Sequence, residues 1–204
     1  GLNHATGPKN LAVFTTPVDF QAMTLFRAWS DPKYFDVDRL VDTLGMAPAE
    51  MLLTAFDMLR PAGRTSANFA LLDNLWNEEF VKGHRMFDRW SNDMLPLAGE
   101  YFRETTKQLV WDNALLNGKM PFWKGEGPGR PVELGKVSCP FLHVTAEHDH
   151  IVTTGASAPL IGLIGSDSKE QVVLKGGHVS LIAGPNAVKR MWPRLDQWLG
   201  AKSI

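Results

Sequence analysis

Cysteine is almost absent. Cys139 is the only one in 204 residues, so no internal disulfide can form, and a single thiol fits a reducing cytoplasm. No apolar run approaches the roughly 20 residues that a membrane-spanning helix needs. Neither sign of charge dominates. Lys and Arg number 21 against 22 Asp and Glu, a net charge of −1, so no bulk field draws the chain to nucleic acid or to an anionic membrane. There is no internal repeat and no low-complexity tract. The start, Gly1-Leu2-Asn3-His4, has neither an initiator Met nor a signal-peptide pattern, and we read it as a processed, engineered or truncated terminus. Also missing is any Gly-x-Ser-x-Gly or Gly-x-Cys-x-Gly segment, the strand-to-helix elbow that presents a nucleophile in hydrolase-type enzymes.

What is present is an ordinary globular balance of 44% hydrophobic and 21% charged residues, enough for one domain with a real core or one domain carrying a large insertion. Seven Trp and eleven Phe supply large apolar contacts, in a core or on a greasy binding surface. Three short apolar runs read as strands: Leu11 to Thr15, Pro140 to Thr145 and Gln171 to Leu174. Such near-continuous runs suit buried parallel strands joined by crossovers. The chain between the first two reads as helical. Asp38 to Leu44 ends at Gly45, and Pro48 opens a helix that stops before Pro61, with Met51, Leu52, Ala55, Phe56 and Leu59 on one face. Asn77 caps a helix carrying Phe80, Phe87 and Trp90. A longer helix is expected from Leu97 to Leu116, then a turn-rich stretch from Gly125 to Pro131, and a last helix from Asn186 to Leu199. An insertion of roughly 120 residues between neighbouring strands is too long for a loop and reads as a cap or lid.

Two segments carry chemistry. Ala146-Glu147-His148-Asp149-His150 follows the second strand, and Gly176-Gly177-His178 follows the third. The C-terminal ends of parallel strands open on one crevice. An acid after one strand and a His after the next match the tail of the order nucleophile, acid, histidine. A carboxylate at Asp149 would fix the tautomer of His178, leaving its other nitrogen free to take a proton. Taken singly, an Asp after a strand is a cap and a Gly-Gly-His is a turn; their order and strand context favour the catalytic reading. The run of His143, Glu147, His148, Asp149 and His150 invites a metal. However, His143 falls within a buried strand, and adjacent residues on a tight loop do not converge on one ion, so no metal site is expected. Cys139 sits at the mouth of a buried strand, without an elbow and without the upstream position a nucleophile needs, and reads as a small core residue.

These residues resemble a known family. Lys9-Asn10-Leu11-Ala12-Val13-Phe14-Thr15-Thr16-Pro17-Val18-Asp19-Phe20 looks very like a segment of polyhydroxyalkanoate synthases. So do Asp36-Val37-Asp38-Arg39-Leu40-Val41-Asp42, Phe87-Asp88-Arg89-Trp90, Gly99-Glu100-Tyr101-Phe102-Arg103 and the spacing Asn113, Leu115, Gly118. The resemblance implies the C-terminal part of an α/β-hydrolase fold, a mostly parallel sheet with a large, mainly helical cap. The corresponding division is core strand and helix over 1–33, cap over 34–135, and core strands and helices carrying the acid and His over 136–204. It implies an acyltransferase that joins 3-hydroxyacyl groups from coenzyme A thioesters into a polyester. No cofactor is called for, because coenzyme A is part of the substrate. Asp149 matches the family's acid and His178 its base. The family's nucleophile, a Cys in a Gly-x-Cys-x-Gly elbow, lies upstream of the segment like Lys9 to Phe20 and matches nothing here, so these residues alone are expected to be inactive. Where the family often has Gly soon after the His, this sequence has Val179-Ser180-Leu181.

The resemblance further implies a cytoplasmic protein, on the surface of a polyester granule, with a second synthase subunit as one partner; three strands are few for an open sheet, so the edge at Leu11 to Thr15 is expected to recruit a second copy or another chain. Phe14, Phe20, Phe26, Trp29, Phe35, Trp76, Phe87, Trp90, Trp111 and Trp123 are candidates to line an apolar channel, with core packing as the plainer role for each. Two alternatives stay open: an esterase, thioesterase or depolymerase of the same fold, and a non-catalytic module that binds polyester or a partner.

Overall fold

The computed structural model describes residues 7–122 and 129–202. Trp123, the turn residues from Gly125 to Pro128 and the N-terminal Gly1 to His4 lie outside them. In chain order the elements begin with β1 (Leu11–Phe14), α1 (Thr24–Trp29), α2 (Val37–Leu44), β2 (Met46–Ala47), α3 (Ala49–Leu59), α4 (Gly63–Asp73) and α5 (Glu78–Asn92). Next come β3 (Leu97–Ala98), α6 (Gly99–Glu104), β4 (Pro121–Phe122), β5 (Arg130–Pro131) and β6 (Phe141–Ala146). The last are α7 (Thr154–Ser157), α8 (Leu160–Leu163), β7 (Lys169–Leu174) and α9 (Trp192–Lys202). The chain divides into two compact units, one of residues 1–31 and 107–204, the other of residues 32–106. No helix among the described residues is long and apolar enough to cross a membrane.

The first unit is built on a three-stranded parallel sheet in the order β1-β6-β7, with Val13, His143 and Gln171 in register across it. β6 is the centre, and all six of its residues are buried. Strand alternation sends Leu142, Val144 and Ala146 to one face, against Leu181, Met191 and Trp198. Phe141 goes to the other, with Val18, Leu160 and Ile164. Two apolar faces explain why the run from Phe141 to Ala146 shows no alternation of its own. The three expected strands are all present and parallel, but only β6 is buried throughout. β7 alternates between exposed and half-buried residues because one of its faces is open, with Val173 53% exposed there.

A second knot of polar contacts ties the segment after β1 to the chain returning from the helical insertion. Asn113 Oδ1 accepts from the Phe20 amide at 2.9 Å, and its Nδ2 donates to Asp19 Oδ1 at 2.9 Å. Asp19 Oδ1 also takes the Gln21 amide, and the Gln21 side chain donates to the carbonyl of Val110 at 3.1 Å. Asn113 has φ of +50°, a left-handed conformation that Asn tolerates better than most residues. The helix expected from Leu97 to Leu116 therefore ends early. It begins only at Gly99, widens into a π-helical stretch over Thr105–Trp111, and gives way to turns before Asn113. Asn113→Ala is expected to lower unfolding stability by about 2 kcal/mol, from the left-handed backbone, the orphaned Phe20 amide and the loss of one of the donors to Asp19. A chemical-denaturation midpoint equal to that of the parent protein would contradict this.

The second unit is helical. Asn77 caps α5 as the sequence suggests, accepting from the Phe80 amide, and Asp36 caps α2, accepting from the Arg39 amide. Two of the family-like segments meet here. Arg103 on α6 reaches back to α2, with Nη1 2.7 Å from Asp38 Oδ1 and Nη2 2.6 Å from Asp42 Oδ1. Asp42 and then Asp38 hold the guanidinium firmly in its charged form. Leu97 and Ala98 are not helical because they pair antiparallel with Ala47 and Met46. α6 starts where Gly99 approaches Gly45 so closely that a Cβ at 99 would lie 2.5 Å from the Gly45 carbonyl oxygen. Phe69, Leu72, Leu75, Trp76, Met86 and Trp90 are all more than half exposed on α4, α5 and the link between them.

Candidate active site

β6 and β7 run side by side and end together. Beyond β6 the chain continues the ladder for one residue, the Glu147 amide donating to the Leu174 carbonyl at 3.0 Å, and then turns. The turn places Asp149 behind the strand end with its side chain fully buried. Beyond β7, Gly176 adopts φ of +149°, a backbone conformation that only glycine takes readily. This brings His178 back over the end of the sheet. The two loops are laced together by the His148 amide, which donates to the Gly176 carbonyl at 2.9 Å.

The two predicted residues meet. His178 Nδ1 lies 2.8 Å from Asp149 Oδ2. The other carboxylate oxygen, Oδ1, accepts from the amides of Ile151 at 2.9 Å and Val152 at 2.8 Å. Three donors therefore converge on a carboxylate that solvent does not reach, which is how a buried negative charge is kept without a metal or a lysine. As an acceptor, Asp149 requires the proton on Nδ1, so Nε2 presents a lone pair. Asp149 is buried, whereas the His178 side chain is 33% exposed. The pair is thus anchored from below and open from above.

The other candidates do not join it. Cys139 precedes β6, so it lies at the opposite end of that strand, about 20 Å away at the usual rise per residue. His143 is buried in the middle of β6, while Glu147, His148 and His150 are exposed. Among the described residues no group of three His, Cys, Asp or Glu is arranged to hold a metal ion. Two features were missed from the sequence: the backbone amides of Ile151 and Val152, and Ser180, whose hydroxyl sits against Gly177 at 2.8 Å. The amides follow from an Asp two and three residues upstream, the signature of a side chain that caps its own turn. Ser180 carries the same kind of local signal in reverse.

A family profile described as the alpha/beta hydrolase fold matches residues 5–185. The chain belongs to the α/β-hydrolase fold family. Within this family its sequence is similar to poly(3-hydroxyalkanoate) polymerase subunits. It is 32% identical over 201 residues to the poly(3-hydroxyalkanoate) polymerase subunit PhaC of Allochromatium vinosum, covering 98% of this chain and 55% of that protein. The subunit of the same name from Thiocystis violacea is 31% identical over 202 residues, with 98% and 55% covered. That of Haloarcula marismortui is 27% identical over 176 residues, with 86% of this chain and 36% of the relative covered. The chain thus spans about half the length of the first two relatives and about a third of the third. The resemblance seen in Lys9 to Phe20 extends over nearly the whole chain. In this α/β-hydrolase the parallel sheet and the two strand-end loops supply what acid–base chemistry requires: a fixed imidazole tautomer, a buried carboxylate behind it, and one accessible nitrogen.

Proposed function

We propose that this chain supplies the acid and the base of a polyhydroxyalkanoate synthase, with Asp149 orienting His178 and His178 moving the protons of acyl transfer. The observation that carries the reading is the 2.8 Å contact between His178 Nδ1 and Asp149 Oδ2, made in a chain whose relatives are named poly(3-hydroxyalkanoate) polymerase subunits.

In this scheme His178 Nε2 takes the proton of a thiol. The thiolate attacks the carbonyl of a 3-hydroxyacyl-CoA, coenzyme A leaves with a proton, and the acyl group is held as a new thioester. The imidazole then takes the proton of an incoming 3-hydroxyl, whose oxygen attacks that thioester; the C–S bond breaks, the polyester grows by one unit, and the released thiolate recovers the proton from the imidazolium. Asp149 stays ionised throughout and stabilises the imidazolium formed at each step. The thiol matches no position of this sequence, since the elbow is missing and Cys139 lies at the other end of β6. On this reading the 204 residues alone release no coenzyme A. The exposed apolar residues of α4 and α5 suit either a partner, a second copy or a second synthase subunit, or the apolar product on a cytoplasmic granule.

The experiment gives 3-hydroxybutyryl-CoA to the full-length native protein and follows both the thiol released and the fate of the acyl group. The expected result is free coenzyme A matched by polyester. Coenzyme A matched by free 3-hydroxybutyrate would instead identify an esterase or thioesterase of the same fold, and no release at all would favour a binding module.

A further inference from the structure

We propose that Ser180 is a positioning residue of the Asp149–His178 pair, which holds the plane of the peptide that carries His178. The inference rests on the reading of His178 as the base and says what keeps that base in place.

The Gly176-Gly177-His178 loop has few means of rigidity of its own, because two successive glycines leave its backbone free. The Ser180 hydroxyl supplies what is lacking. It accepts from the Gly177 amide at 2.8 Å and donates to the Gly177 carbonyl at 2.8 Å. One oxygen thus grips the peptide units on both sides of Gly177, and the second of those units is the one that enters His178. With both held, the backbone from which the imidazole springs cannot rotate. The contact depends on the glycine before it: a Cβ at Gly176 would lie 2.4 Å from Ser180 Oγ.

Two further bonds complete the frame. The Leu181 amide closes on the His178 carbonyl, and the His148 amide on the Gly176 carbonyl. Leu181, next to Ser180, is 2% exposed and packs with Leu142, Val144 and Trp198. The hydroxyl is therefore anchored in the main core and passes that fixity to the loop. Without it, Gly177 would lose both of its holds, and the loop would keep only the Leu181 and His148 amide bonds beside the Asp149 contact. Ser180 does not touch the reacting atoms; it acts through Gly177.

The test uses the full-length native protein with Ser180→Ala and Ser180→Thr, and Ser180→Cys as a sterically similar, weaker donor. The turnover arm follows coenzyme A release from 3-hydroxybutyryl-CoA. Ser180→Ala is expected to lower kcat about tenfold with KM within about twofold, as is usual when a group orienting a catalytic ligand is lost. Ser180→Thr should restore most of the rate and Ser180→Cys less. The spectroscopic arm observes the histidine ring protons by NMR with nitrogen-15-labelled histidine, assigned with His178→Ala. The Nδ1 proton of His178, sharp and downfield while bonded to Asp149, should broaden or vanish in Ser180→Ala and return in Ser180→Thr. A Ser180→Ala protein with an unchanged Nδ1 signal and an unchanged kcat would overturn the proposal. Equal losses in the Ala and Thr proteins, tracking a fall in melting temperature, would overturn it as well, by making the role one of general stability. If His178→Ala leaves turnover intact, the reading of His178 as the base fails, and the spectroscopic arm still decides whether Ser180 orders the ring.

Discussion

In the full-length native protein, His178→Ala and Asp149→Asn should each reduce acyl transfer by about a thousandfold or more, while the fold survives. The two losses arise differently. Removing the imidazole deletes the group that Asp149 orients to take a proton at this end of the sheet. The Asn at 149 keeps the shape and can still accept at Oδ1 from the amides of Ile151 and Val152, which now donate to the carboxylate at 2.9 and 2.8 Å. It presents an amide NH2 to His178 Nδ1, however, so the proton moves to Nε2 and the ring becomes a donor where an acceptor is needed. The Asn protein should consequently fold well and fail chemically. Substitution of both residues should cost little more than either alone, because they act as a unit. His148→Ala and Cys139→Ala serve as controls. His148 is exposed, its ring no closer than 4.0 Å to the Glu147 carboxylate, and Cys139 lies at the far end of β6. Both should retain most of the activity. The quantity to measure is coenzyme A release under saturating 3-hydroxybutyryl-CoA, beside circular dichroism of each variant. A Cys139→Ala protein that is folded but inert would remove the argument that the nucleophile is not among these residues. A fully active His178→Ala would remove the acid–base assignment.

How much of this was legible beforehand depends on whether the signal was local. The core strand β6 announced itself, because burial on both faces leaves an apolar run with no alternation. Asp149 and His178 were legible because the fold places strand-end loops together whatever lies between them in the chain. β7 was read as a short buried run from Gln171, although Lys169-Glu170-Gln171 belongs to it. One of its faces is open, and the apolar Val173 stands exposed there, so the run from Gln171 mimics a strand covered on both faces. The break before Gly99 was hidden for a related reason. Leu97 and Ala98 suit a helix locally, and only their pairing with Met46 and Ala47, some fifty residues earlier, holds them extended. α4 carries a weaker signal, because Phe69, Ala70, Leu71 and Leu72 run consecutively instead of recurring every three or four residues, and no side chain caps its start. The hydroxyl of Ser180 was visible as a residue and not as a contact, since the turn that folds it onto Gly177 depends on the glycine conformation two residues before the His.

His143→Leu is expected to make the protein more stable, and increasingly so as the solution is acidified. His143 is wholly buried at the centre of β6, and neither of its ring nitrogens finds a hydrogen-bond partner among the described residues. Its neighbours across the sheet are Val13 and Gln171, and Gln171 is exposed, so no carboxylate in register stands ready to receive a charged ring. Desolvation accordingly pushes the imidazole below its ordinary value near 6.5. At neutral pH the cost is that of two unsatisfied polar atoms, and an apolar side chain of similar size recovers about 2 kcal/mol. Below about pH 6.5 a second effect adds to the first. The unfolded imidazole gains a proton that the buried one refuses, so protons bind the unfolded state preferentially, and stability present above that pH is lost as the pH falls. The advantage of His143→Leu should thus widen by up to about 1.4 kcal/mol for each unit of acidification, until the buried ring itself protonates. Urea unfolding of the parent and variant at pH 7.5, 6.5 and 5.5 gives the comparison, with His148→Leu, at an exposed position, as the reference for an ordinary histidine. Equal pH slopes for the parent and His143→Leu would mean that His143 has found a partner in the folded protein and carries its proton there. That result would place a compensating charge or acceptor beside the central strand.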